Sequence, residues 1–200
     1  VTYAVIRELL RLGVERGVSL HFALGDSNGI ENAPVGRTSL DVLRDTGNYH
    51  SALKAALEHA AEIADGAQVQ AGLELLRSLE QASPAAYLGA VTDRMSNGSQ
   101  REAIEAAAEP WVTCVDYDVA GYRAIQPDLG PLGRAVRGSE PFHIAAPWVD
   151  ADYRIHVSRS ASTHLFAGWT GALKGLIGLH GLGGRPGDMG MKIRGENPLD

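Results

Sequence analysis

Only one cysteine, Cys114, stands in this chain of 200 residues. No intrachain disulfide can form, and cysteine cages for zinc or iron–sulfur clusters are excluded. Cys114 lies in an apolar stretch and is expected to be an inert core residue. Long hydrophobic runs are also missing: nothing approaches the roughly 20 apolar residues of a membrane helix. Positive charge is in deficit, with 18 basic against 24 acidic residues and a formal net charge of −6. That balance argues against nucleic acid or an anionic membrane as the partner of the whole surface, while leaving room for a local basic pocket. No GxSxG, HExxH, CxxC, Walker or dinucleotide-binding fingerprint occurs. The histidines, among them His21, His50, His143 and His156, have no metal-ligand spacing, so no metal site is predicted.

What is present is ordinary for a globular protein: 44% hydrophobic residues, 21% charged, and 24 glycines that crowd toward the C-terminal end. This length suits a single α/β domain over 1–200. The chain opens on Val1 without a signal-peptide pattern and stops at Asp200 just past Glu196, Asn197 and Pro198. It is therefore expected to be incomplete at one or both ends, with a cytoplasmic location as the default.

Helical spacing of Val5, Ile6, Leu9, Leu10 and Leu12 predicts a helix over 2–16 capped by Thr2. A continuous apolar run at 18–24 predicts a strand buried on both faces, leading into a loop that carries Asp26 and Ser27. A short helix over 39–46 should end at Gly47. Residues 51–109, rich in alanine and glutamate, are predicted to be almost wholly helical, with a break at Asp65 and Gly66, as an insertion or lid. The second clear strand is 111–117, with Asp116 and Asp118 at its end. Such a pair of carboxylates can hold a divalent cation but more often just ends a strand in solvent. Residues 121–138 look like loop, 142–147 and 153–158 like short strands, and 169–179 like a helix with a glycine-rich tail. Helix, strand and glycine/aspartate loop together predict an α/β fold with a mostly parallel sheet flanked by helices.

Two blocks carry a family resemblance. The first, 1–49, contains VT…VIRELL, LGDS and TSLDVLRDTGNYH; the second, 152–178, reads DYRIHVSRSASTHLFAGWTGALKGLIG. They resemble the family numbered 362 among the domains of unknown function. The matching positions are Asp26, His164, Thr170, Gly171, Lys174 and Gly178. Ser160 and Ser162 stand where that family often has lysines, and Gly175 where it often has asparagine. Some relatives carry a ferredoxin-like four-iron, four-sulfur segment, for which this chain has no cysteines. The resemblance implies an α/β fold and a small-molecule or redox-linked role, with a redox protein as partner, but no particular reaction or cofactor.

The residues themselves offer one constellation. Thr170 and Lys174 share a helix face by their spacing. Backbone N–H groups at the start of that helix favour an anion, and the lysine adds charge one turn along. His164, just upstream, can donate to the same anion or move a proton near neutral pH. Arg159 and Arg154 add positive charge, and Gly171 belongs to the same helix start. Asp26 and Ser27 follow a buried strand, where open α/β sheets hold ligands. Trp148, Tyr153 and Trp169 bracket the histidine and are candidates for pocket walls. The expected function is an α/β protein with a cationic pocket for a small anionic molecule, His164 and Lys174 being its catalytic candidates. The alternatives are a non-catalytic interaction module and a degenerate, truncated homologue, and whether the chain is an enzyme stays open.

Overall fold

In the computed structural model, residues 1–26, 39–44, 47–63, 66–82, 98–117, 119–126, 130 and 141–156 are described. The chain divides into two compact units, Val1–Gly25 with Leu40–Val115, and Asp26–Ser39 with Asp116–Asp200.

The first unit is built on helices. α1 spans Thr2–Arg16, α2 Ser39–Arg44, α3 Gly47–Ile63, α4 Ala67–Ala82 and α5 Gly98–Ala108. α3 is the central one. Tyr49, Ala52, Leu53, Ala55, Ala56, Leu57 and Ala60 are all buried along it, and α1, α4 and α5 each pack against it. Its many alanines explain this position, since small side chains let several helices approach one axis. Ile6 and Leu10 of α1, Leu73 and Leu76 of α4, and Ile104 of α5 complete the same core. α4 and α5 meet at Gly72, where an added Cβ would lie 2.7 Å from Ala107 Cβ.

The helix ends differ from expectation in two places. Thr2 does not cap α1 but is its first residue, and its hydroxyl donates to Asn48 Oδ1 at 3.0 Å. Gly47 does not end α2 but begins α3; the N-terminal position tolerates glycine because the first N–H groups of a helix have no intrahelical partner. The other end of α1 follows sequence logic. Gly17 takes φ +66°, the left-handed conformation that glycine adopts without strain. Gly17 N–H then reaches Val14 O and Val18 N–H reaches Gly13 O, a Schellman closure.

β1 (Phe22–Asp26) and β2 (Val112–Asp116) pair as a parallel two-stranded sheet, with Phe22 N–H donating to Trp111 O. Phe22, Leu24, Val112 and Cys114 turn toward the helical core. Ala23 is exposed, so β1 alternates rather than being buried on both faces, and it starts four residues later than the apolar run suggested. The Schellman turn explains the delay, because it holds the first residues of that run against α1.

The second unit contains a hairpin. β3 (Tyr122–Ile125) runs antiparallel to β4 (Phe142–Ala145), with Tyr122 opposite Ala145 and Ile125 opposite Phe142. The region read as loop at 121–138 thus begins with a strand. Its four residues are too short for alternation to register against neighbouring glycines and prolines. Ala146 N–H extends the pairing to Gly121 O. The chain then enters α6 (Ala146–Asp150) instead of continuing as a strand through Pro147. No strand forms over 153–156 either. The Arg154 guanidinium turns back onto the Trp148 and Val149 carbonyls at the end of α6, which folds that segment against the helix.

Candidate functional site

Of the residues expected to form the anion pocket's catalytic and binding groups, only Asp26 and Arg154 fall among those described. Asp26 is the last residue of β1, as Asp116 is the last of β2. Both strands of the parallel pair therefore end in aspartate. Ser27, Arg159, His164, Thr170, Gly171 and Lys174 lie outside the described residues, as do Asp118 and Trp169. Arg154 does lie among them, but its guanidinium is committed to the α6 carbonyls. Among the described residues no group of three or more histidine, cysteine or acidic side chains is placed to hold a metal ion.

The described part of the first unit has a cleft of about 270 Å³ at the other end of the parallel pair. It exists because of the turn after α1. Gly17 reverses the chain, and Gly13, lacking a Cβ, lets the Val18 carbonyl approach α1; a Cβ there would lie 2.8 Å from that oxygen. Leu10, Val14, Leu20, Ile63 and Trp111 are its apolar lining. Ser19 and His59 are its polar members.

His59 is the unusual group. It is 4% exposed, and among the described residues nothing hydrogen-bonds its ring. Burial pushes its pKa below the ordinary 6.5; Arg7 acts in the same direction and Glu62 opposes. The imidazole is therefore neutral near pH 7, with one N–H to donate and one lone pair to accept. The neighbouring charges are already matched. Arg7 Nη2 donates to Glu62 Oε1 at 2.6 Å, and the Tyr3 hydroxyl donates to Glu58. That bond to Glu58 heads the causes that raise the Tyr3 pKa. His59 has no metal-ligand spacing in the sequence that would single it out. The available signal was different: Ala52, Ala56, His59 and Ile63 share one helical stripe, which puts a histidine on an apolar face.

Two further polar clusters in this unit are structural in character. Lys54 Nζ donates to both oxygens of Glu80 at 2.9 Å, and His50 Nε2 lies 3.5 Å from Glu80 Oε1. Burial lowers the His50 pKa, with Glu80 opposing. Tyr49 shares hydrogen bonds with Glu105 and Cys114 and is raised well above the ordinary tyrosine range, burial being the main cause. Arg44 Nε sits 3.1 Å from Glu105 Oε1. Burial pushes the Cys114 thiol up to about 12, which leaves almost no thiolate near neutral pH. His21, on the exposed side of the sheet, has Nδ1 3.2 Å from Pro110 O and Nε2 2.9 Å from Thr113 Oγ1. A carbonyl only accepts, so Nδ1 carries the proton.

No helix among the described residues is long and apolar enough to cross a membrane. Compared with known proteins, the chain matches no family model, no curated protein and no solved structure.

Proposed function

We propose that this is a ligand-binding α/β protein whose site lies at the carboxyl edge of the β1–β2 pair and takes a small anionic molecule. The observation that supports the reading is the parallel pairing of β1 and β2 with Asp26 as the last residue of β1. The chain after Asp26 thus leaves the sheet where open parallel sheets hold their ligands.

In this reading Asp26 and Ser27 form one polar wall. Thr170 and Gly171 offer backbone N–H groups at a helix start, Lys174 and Arg159 supply charge, and His164 donates to the anion or moves a proton. The pair would belong to a larger, mostly parallel sheet flanked by helices, with 51–109 inserted between its strands. The resemblance of 1–49 and 152–178 to the domain-of-unknown-function family numbered 362 adds a redox-linked role and a redox protein partner. One cysteine and no disulfide fit a reducing, cytoplasmic setting.

The test is thermal shift of the parent chain and of Lys174→Ala with phosphate, small carboxylates and nucleotides. A ligand that stabilises the parent should bind the variant about 5- to 150-fold more weakly, as loss of a charge-assisted hydrogen bond costs about 1–3 kcal/mol. Equal responses of both proteins to every such ligand would refute the assignment of Lys174.

A further inference from the structure

We infer that the cleft between the α1 turn, the end of α3 and Trp111 is a second binding site, for a small uncharged ring compound with one polar group, of the phenol or indole class. It lies at the amino ends of β1 and β2, since Leu20 stands two residues before β1 and Trp111 directly before β2. It is separate from the carboxyl edge invoked above and does not depend on that reading.

Size sets the first limit. About 270 Å³ exceeds the roughly 150 Å³ that accommodates benzene in an apolar cavity. One substituted ring or a fused pair fits, and a nucleotide does not. The walls set the second limit. Leu10, Val14, Leu20 and Ile63 offer aliphatic contact, and Trp111 offers a ring against which another ring packs.

Charge sets the third limit. Arg7 is the cation whose charge acts on His59, and its guanidinium is paired with Glu62. Glu58 stands beside it, bonded to Tyr3. The cation that acts on His59 is thus already paired, and a carboxylate or phosphate at the imidazole would stand beside the Glu58 and Glu62 carboxylates. An uncharged molecule avoids that repulsion.

His59 supplies the specificity. The His59 ring nitrogens have no protein partner among the described residues but keep access to the cleft, so a ligand group can take the place of water on them. A ligand hydroxyl or ring N–H at this position would give the imidazole the partner it lacks, while the rest of the ligand displaces water from apolar surface. The site thereby distinguishes phenol from benzene through a single group.

The experiment is an NMR titration of the full chain with phenol, indole, benzene, benzoate and inorganic phosphate. The Trp111 indole and the His59 ring signals are the readouts. Phenol and indole should move both saturably, with benzoate and phosphate moving neither. In His59→Leu, phenol affinity should fall at least tenfold while benzene affinity changes less than threefold. Val14→Trp, a change at a half-exposed position, should abolish both responses by filling the cleft, and it serves as the decisive variant if His59→Leu does not fold. Three results would each overturn the proposal: no saturable shift with any ring compound, benzoate binding as well as phenol, or an equal loss of benzene and phenol in His59→Leu. The carboxyl-edge site is read separately by the thermal shift of Lys174→Ala, so failure of one proposal leaves the other standing.

Discussion

Replacing Gly72 with alanine puts the closest helix contact of the first unit to the test. In an open helix this change is favourable, because alanine exceeds glycine in helix propensity by about 1 kcal/mol. Here the new methyl would stand 2.7 Å from Ala107 Cβ, against 3.5 Å from Leu57 Cδ2. The Leu57 contact is ordinary packing. The Ala107 contact falls roughly 1 Å short of the usual carbon–carbon separation of about 3.5–4.0 Å. Ala107 Cβ is attached directly to the backbone and cannot rotate away, so α4 and α5 must separate. Overpacking of this kind costs about 1–3 kcal/mol. Set against the gain in propensity, the net change is a loss of up to about 2 kcal/mol, and a fall in Tm of up to about 8 °C for a chain this size.

Urea and thermal unfolding followed by circular dichroism would measure it. The double change Gly72→Ala with Ala107→Gly moves the methyl across the interface at constant volume. It should be more stable than the sum of the two single effects by at least about 1 kcal/mol, since neighbouring sites couple. A raised Tm for Gly72→Ala, or strict additivity in the cycle, would refute the close approach of α4 and α5.

Acid should destabilise the fold before any carboxylate titrates. His50 and His59 both have lowered pKa values in the folded state, mainly through burial. Above the unfolded value of 6.5 neither state binds the proton, and stability is at its full level. As pH falls below 6.5 the unfolded chain protonates first, so stability drops until the folded-state values are passed. The slope is at most about 1.4 kcal/mol per pH unit for each histidine, and urea midpoints that stay flat between pH 7 and 5.5 would contradict it. For Cys114, a thiol at about 12 should react with iodoacetamide at pH 8 roughly a thousandfold more slowly in the native protein than in urea, because only the thiolate attacks. Native labelling within tenfold of the unfolded rate would show that the thiol is not held protonated.

Local order in the chain was the legible part. The periodicity of α1 and of the alanine-rich middle, and the apolar run of β2, are written in adjacent residues. What escaped is decided by partners distant in sequence. Thr2 spends its hydroxyl on Asn48, which no capping rule foresees. β3 exists through pairing with β4 across more than a dozen residues, and Arg154 prevents a strand by reaching back to Trp148. The role of His59 depends on what α1 and Trp111 bring to its face. For the anion site, Asp26 was read as part of the loop after the strand and is instead the strand's last residue, and the remaining proposed members lie outside the described residues.

The parallel pairing also has a consequence in time. His21 meets Thr113 across 92 residues of chain, whereas only residues 64–66 separate α3 from α4. Closing an unstructured loop of that length costs about 4 kcal/mol in chain entropy. The helices between the strands can assemble from local contacts and shorten that search, so the sheet forms late and its rate depends on α3, α4 and α5. Substitutions that loosen the helical group should slow folding, while those confined to β1, such as Ala23→Gly, should mainly hasten unfolding.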